Sequence, residues 1–499
     1  MTTHMLYLLM RKGDIMAYVR VGVIILISML LGIVQPAVQA AHGVVADQTA
    51  AMHPNARSDI AKNATAPLYQ IVGTVNPSKR TWQATQTHTF TNQTGGILRT
   101  IYYRLTANLP DVGGSITLSG ATINGRKATV TYEANRYLAR LDMRTPIAKN
   151  ATVTVVVSFT TTAANNGGEN VYGTLNSDGQ TIALAMAYPL LAMHTNGTWD
   201  TTIPDTTGDI ITSPVAFYDV TITTPRTYTV VSTGTPVSTR INGTNQTVRM
   251  VSGLQRDFAL AVSTLSSVNA TIDGTKITVY YPNGQLKGGQ ASLTYASQAL
   301  RIFNGIYGQY PYNELDIVTV NAGTFEGIEL PGFVLIEQAF FTVSSDYERL
   351  VVHEVAHQWF YGVIGNDVQN HAWVDEGITS YSQVLYQEAL YGTQAGINEK
   401  RIFVDDYAAL KTKKQDGAVD RPVSEMSDYQ YGVLSYYKAA LYVDAIRSTI
   451  GANAFSAALK SYYTTNRYAI VDGTAFVRAV QGSCDCDIQP LYNQWILAK

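Results

Sequence analysis

His353-Glu354-Val355-Ala356-His357 concentrates more chemistry than any other stretch of this 499-residue chain. On a helix, positions i and i+4 share one face, so both imidazoles can reach a single metal ion. Glu354, beside the first of them, is placed to meet a metal-bound water and act as a general base. Glu376 lies 19 positions after His357, in Trp373-Val-Asp-Glu-Gly377. Two His and one Glu, with one coordination position open, is a recurring set for catalytic zinc. Asp375, next to it, is a candidate to orient a ligand histidine or to serve as a favourable charge at a helix start. Residues 326–376 hold six of the twelve Glu and three of the eight His in a chain with only 14% charged residues. Such clustering argues for a site, because buried His and Glu are costly unless paired or liganded.

The neighbouring sequence supplies elements to hold these groups. Ser345-Asp346-Tyr347-Glu348 has the spacing of a capping box, and predicts a helix running to about Tyr361 and stopping at Gly362. A second helix is predicted from Trp373 to Tyr391, closed by Gly392, so that Glu376 can fold back onto the histidines. Ala291 to Tyr307 carries helical apolar spacing, while Leu315 to Val320 and Phe333 to Ile336 read as buried strands. Residues 396–499 read as mostly helical, with a loop near 413–430. Upstream, residues 66–265 alternate in short β-type runs, such as Val220-Thr-Ile-Thr-Thr224, between turns such as Asn124-Gly125, Asn166-Gly-Gly168 and Asn196-Gly197. This texture predicts an antiparallel β-sandwich.

The motifs HEVAHQWF (353–360), WVDEGITSY (373–381) with eighteen residues between its Glu and His357, and Gly327-Ile-Glu-Leu-Pro-Gly332 resemble the M1, aminopeptidase N-like, gluzincin metallopeptidases. Tyr310-Pro311-Tyr312, Tyr188-Pro189 and Leu491-Tyr-Asn-Gln-Trp-Ile496 add weaker matches, and the resemblance covers about 85–499. It implies a β-sandwich followed by a thermolysin-like α+β, mainly helical, catalytic domain. It also implies one Zn²⁺ per chain on His353, His357 and Glu376, with Glu354 as the base. The Gly327 to Gly332 stretch resembles the family's exopeptidase signature, making Gly327 and Glu329 substrate-binding residues. Glu329 also has a physical rationale: just before a predicted strand, its carboxylate could pair with a substrate's free α-ammonium. Glu326 is its rival. The resemblance places an oxyanion-stabilising tyrosine about sixty positions after Glu376, at Tyr436, with Tyr437 the alternative register. Ile328 and Leu330 stand where the signature usually has Met and Asn. The chain also ends where larger members continue into a helical domain, which implies a more open cleft.

Composition excludes other classes. A net charge of −2 offers no basic stripe for nucleic acid, and two cysteines, Cys484 and Cys486, rule out a disulfide scaffold or a four-cysteine metal site. Whether those two are bonded or free is left open. Arg11, Lys12 and Arg20 precede an apolar run from Val21 to Val34, and Val38-Gln39-Ala40 supplies a signal-peptidase site. The run is too short to span a bilayer stably. The organisation read from the sequence is therefore a signal peptide (1–40), a flexible leader (41–65), a sandwich (66–265) and a zinc metallopeptidase domain (266–499). The expected product is a secreted, periplasmic or cell-surface aminopeptidase acting on peptides. A zinc endopeptidase, another M1-like hydrolase without strict N-terminal specificity and an inactive peptidase-like binding protein are the alternatives.

Overall fold

Strands of period-two burial build the first half of the molecule. In Thr81–Thr91, for example, Trp82, Ala84, Gln86, His88 and Phe90 point inward and are buried while the residues between them are exposed or half-buried. The computed structural model describes residues 47–165, 173–321, 325–342 and 345–498. The signal segment at 1–40 and the Asn166-Gly-Gly168 turn lie outside these residues.

An eight-stranded sheet runs in the order Thr235–Asn242, Asn245–Gln255, Ala216–Pro225, Leu68–Asn76, Thr81–Thr91, Thr152–Thr162, Ser115–Ile123, Arg126–Lys127. Smaller sheets of four and five strands cover it, and one apolar core fills the space between. The sandwich is not wholly antiparallel. Leu68–Asn76 and Ala216–Pro225 pair in parallel, from Leu68 opposite Phe217 to Thr74 opposite Thr223. This pair joins strands distant in sequence, a long-range pairing that no local turn signal reports.

The second half is α+β. Its five-stranded sheet has the order Ser266–Ile272, Thr275–Tyr281, Glu314–Val320, Phe333–Glu337, Gly327–Ile328. The middle three strands are parallel, and the two-residue strand Gly327–Ile328 forms one edge. Val318, Val320 and Leu335 join the sandwich core; Ile317, Val334 and Ile336 join the core under the helices. Each strand thus alternates between two apolar cores. The principal helices are α1 (Leu286–Ile306), α2 (Ser345–Ala356), α3 (Trp373–Tyr391), α4 (Thr393–Thr412), α5 (Ala439–Asn466, interrupted at Gly451) and α6 (Gly473–Cys484). α2 ends at Ala356, short of the expected Tyr361, because the chain turns there: Gly362 N–H bonds the His357 carbonyl, and Tyr361 takes φ 111°.

Residues 48–65 are not a flexible leader. Gln48 is fully buried, donates to the Tyr218 carbonyl and accepts from the Ser252 and Gly253 amides. Met52, Ala56 and Ile60 enter the helical core. The segment is a strap within the compact unit Gln48–Lys499. No helix among the described residues is long and apolar enough to cross a membrane. Cys484 and Cys486 are joined in a disulfide.

Candidate active site and metal centre

His353 sits in the last full turn of α2, and His357 follows directly. The backbone N–H of His357 still bonds the His353 carbonyl at 3.2 Å, so the i, i+4 register survives the helix end. His357 Nδ1 lies 3.0 Å from the Phe360 carbonyl oxygen and 3.3 Å from Thr379 Oγ1. A ring nitrogen that donates to a carbonyl leaves the other, Nε2, with its lone pair. That Nε2 is 3.1 Å from His353 Nε2 and 3.2 Å from Glu376 Oε2, and His353 Nε2 is 3.2 Å from the same oxygen. Glu376 comes from the first turn of α3, which packs against α2. Asp375 does not orient a histidine. Its Oδ1 instead accepts from Asn366 Nδ2 at 3.0 Å and from the Glu376 backbone N–H at 2.9 Å, fastening the start of α3.

These three side chains are the group of potential metal donors found among the described residues, and all three are buried. Their fit to zinc can be judged from the donor triangle. Tetrahedral bonds of about 2.0–2.1 Å place donor atoms about 3.3 Å apart. The observed edges of 3.1–3.2 Å match that spacing with little adjustment. Charge points the same way. Burial pushes the Glu329 and Glu354 carboxyls up, and Glu376 adds to the push on both. Burial also opposes ionisation of Glu376, but the two imidazoles overcome it and hold that carboxylate below its usual range. So many acids around two facing imidazoles favour a bound cation.

Glu354 is 4% exposed, and its Oε2 has no hydrogen-bond partner among the described residues. Gly327 lies against it: a Cβ at 327 would sit 2.5 Å from Glu354 Oε1. Gly327 is therefore the surface on which the base rests, as well as part of the edge strand facing the cavity. Glu329, just past that strand, is buried in the same cavity, whereas Glu326 is exposed and does not line it. Gln358 holds the turn after Glu329, accepting from Gly332 N–H at 2.8 Å and donating to the Leu330 carbonyl at 3.3 Å. Gln358 belongs to the HEVAHQWF motif, yet its clamp is visible only in three dimensions.

Tyr436 and not Tyr437 faces the cavity. Its ring stacks on His353, 5.6 Å between centroids, while Tyr437 stacks on Phe403 away from the site. The segment Gly432–Lys438 is π-helical. A π turn brings residues five apart together, so Tyr431 joins Tyr436 in lining the cavity, with Tyr431 Oη 3.5 Å from Glu376 Oε1. Sequence reasoning missed Tyr431, since an α-helical period separates residues five apart. It also missed the wall contributed by the sandwich half, Thr206 to Asp209, where Gly208 presses on the Tyr431 ring. The whole cavity measures about 430 Å³.

Residues 291–495 match the Peptidase family M1 domain. The chain is similar to Aminopeptidase M1-B of Oryza sativa subsp. japonica, 27% identical over 215 residues, which is 40% of this chain and 24% of that protein. It thus spans only about a quarter of that relative's length. An M1 zinc metallopeptidase from Deinococcus radiodurans superposes with a TM-score of 0.67 at 19% identity, covering 87% of this chain and 94% of the other. A variant M1 zinc metallopeptidase from Deinococcus radiodurans bound to a Tyr-Ser-Ala substrate gives 0.66 at 19%, with coverage of 87% and 94%. These structures share the order of a β-rich region followed by a helical domain. The metal set and the neighbouring glutamates thus fall within residues 291–495, the part of the chain that matches the Peptidase family M1 domain, and the fold is that of the two-domain M1 zinc metallopeptidases.

Proposed function

We propose that this protein is an exported zinc aminopeptidase that removes N-terminal residues from peptides. One observation carries the reading. The converged donors of His353, His357 and Glu376, the unpartnered oxygen of Glu354 and the buried carboxyl of Glu329 all open into the same cavity. His353, His357 and Glu376 would hold a zinc ion, which would supply Lewis-acid polarisation and make the attacking water more acidic.

The chain's own groups do the rest. Glu329 pairs with the substrate's α-ammonium and sets the register so that the first peptide bond lies over Glu354. Glu354 takes a proton from the attacking water and passes it to the leaving amine. Tyr436 donates its phenolic hydrogen to the oxygen on which negative charge develops. The edge strand at Gly327 and Ile328 offers backbone groups along which the substrate chain can lie.

The test uses one fluorogenic peptide in free and N-acetylated forms, with a Glu354→Gln control. Cleavage of the free form alone, lost in the control while zinc is retained, is the expected result. Equal cleavage of both forms would make the enzyme an endopeptidase. Export is supported by the signal-like residues 1–40 and by the Cys484–Cys486 disulfide, which suits an oxidising compartment. N-terminal sequencing of the mature protein should begin at Ala41.

A further inference from the structure

Six carboxyl groups line the catalytic cavity, and among the described residues no lysine or arginine does. Glu329, Glu354 and Glu376 have roles in the proposed reaction. Asp111, Asp209 and Asp428 do not. They come from distant parts of the chain and are fixed around one opening. Thr206 Oγ1 donates to Asp111 at 2.6 Å, and Thr207 Oγ1 to Asp428 at 3.2 Å. The wall carrying both threonines is pinned by Gln369, which accepts from Asp205 N–H at 2.7 Å and donates to the carbonyls of Asp205 and Asp209 at 3.0 and 2.6 Å. Gly208 lets this wall close on Tyr431, where any Cβ would lie 2.9 Å from the ring.

Asp209 is half-buried and lines the same cavity as Glu354 and Tyr436. Independently of the aspartates, Glu354 is almost fully buried with an unpartnered oxygen in this cavity, which marks the cavity as built for a ligand. A bound zinc ion and a substrate ammonium balance the charges of the catalytic glutamates. The three aspartates add negative charge beyond that balance. With its amine at Glu329 and its carbonyl at Tyr436, the first residue of a substrate must direct its side chain within this same cavity. A cationic side chain gains from the negative field of a cleft lined by acids of one sign, whereas a neutral one does not.

Building on the aminopeptidase reading, we infer that the cavity selects peptides whose first residue is lysine or arginine. Asp209 and Asp428 receive the cationic group, and Asp111 strengthens the field at the mouth.

The test compares kcat/KM for arginyl- and citrullinyl-7-amido-4-methylcoumarin, which are alike in shape and differ by one charge, using zinc-loaded protein at low and high salt. The expected preference for arginine is about tenfold or more at low salt, shrinking as salt screens the field. Asp209→Asn and Asp428→Asn should each move the ratio toward one. Equal rates for the two substrates, or a ratio unchanged in both variants, would overturn the inference and leave the aminopeptidase reading standing. If neither substrate is cleaved, the aminopeptidase reading fails instead. Calorimetry of L-arginine against L-citrulline on the Glu354→Gln variant then decides the subsite: tighter arginine binding supports it, and equal binding overturns it.

Discussion

Glu354 occupies the space that a side chain at position 327 would need. Gly327→Ala must push the carboxylate aside, since the added Cβ would lie 2.5 Å from its Oε1. The three metal donors lie elsewhere. The expected outcome is full zinc content by elemental analysis and a kcat lowered about 10²-fold, as befits a displaced general base, with KM little changed. Loss of zinc would show that Gly327 serves the metal set and not the base. A second residue-scale prediction concerns Asp257, fully buried beside Arg256 and bonded by Tyr361 Oη. Burial pushes its carboxyl from 3.8 up to about 6, against the pull of Tyr361 and Arg256. A raised carboxyl keeps its proton longer in the folded state than in the unfolded one. Its stabilising contribution is therefore complete below about pH 4 and is lost as pH rises through about 6, a loss of roughly 3 kcal/mol by proton linkage. Urea unfolding from pH 4 to 7 should show the native protein losing this much relative to Asp257→Asn. Parallel curves would mean that Asp257 is ionised throughout.

At the scale of elements, the parts of the site legible in the sequence are those carried by one regular period. His353 and His357 share a face at i, i+4, and Glu376 opens a helix whose start and Gly392 end are marked by local residues. Glu329 is legible from the glycines and proline around it. Tyr431 is not, because an α period sets residues five apart about 140° from one another. Only the π turn at Gly432–Lys438 brings Tyr431 beside Tyr436. The wall at Thr206 to Asp209 carries no period at all, and its position depends on Gln369, far away in sequence. Gln358 acts between elements, tying the end of α2 to the turn after Glu329. Gln358→Ala leaves the buried Gly332 N–H without a partner, which costs about 1–3 kcal/mol. It also frees Glu329 to drift from the amine position. The expected signature is a KM for free-amine peptides raised about tenfold with a smaller change in kcat. A variant with unchanged KM and lowered stability would confine Gln358 to a structural role.

The molecule as a whole is held together by contacts that no local pattern announces. Arg256, fully buried, donates from Nε to the Tyr361 carbonyl at 2.9 Å, from Nη1 to Ser213 at 2.7 Å, and from Nη2 to Val363 at 3.1 Å and Ala469 at 3.2 Å. One guanidinium thus joins the loop behind the cavity wall to the turn after the metal helix. The strap at 48–65 does the same on a larger scale. It reads as a leader because it is short, mixed in polarity and without a period, yet its polar ends meet partners supplied by both halves. Gln48 bonds the Tyr218, Ser252 and Gly253 backbone of the sandwich; Asp59 pairs with Arg467 and accepts from Tyr468 Oη at 3.3 Å. Between them, His53 N–H bonds the Pro311 carbonyl at 2.8 Å, and Met52 packs under Gly253, where a Cβ would meet its sulfur. A chain beginning at Ala41 keeps all of this; one beginning at Ala66 loses it. Burial of Met52 and Ile60 is worth about 1.5–3 kcal/mol each, and each lost hydrogen bond about 1 kcal/mol, so the shorter chain should be less stable by about 5 kcal/mol or more. Urea midpoints of the two chains measure this directly. A midpoint unchanged by the truncation would show that sandwich and catalytic half hold each other without the strap, and that Arg256 and the shared sheet suffice.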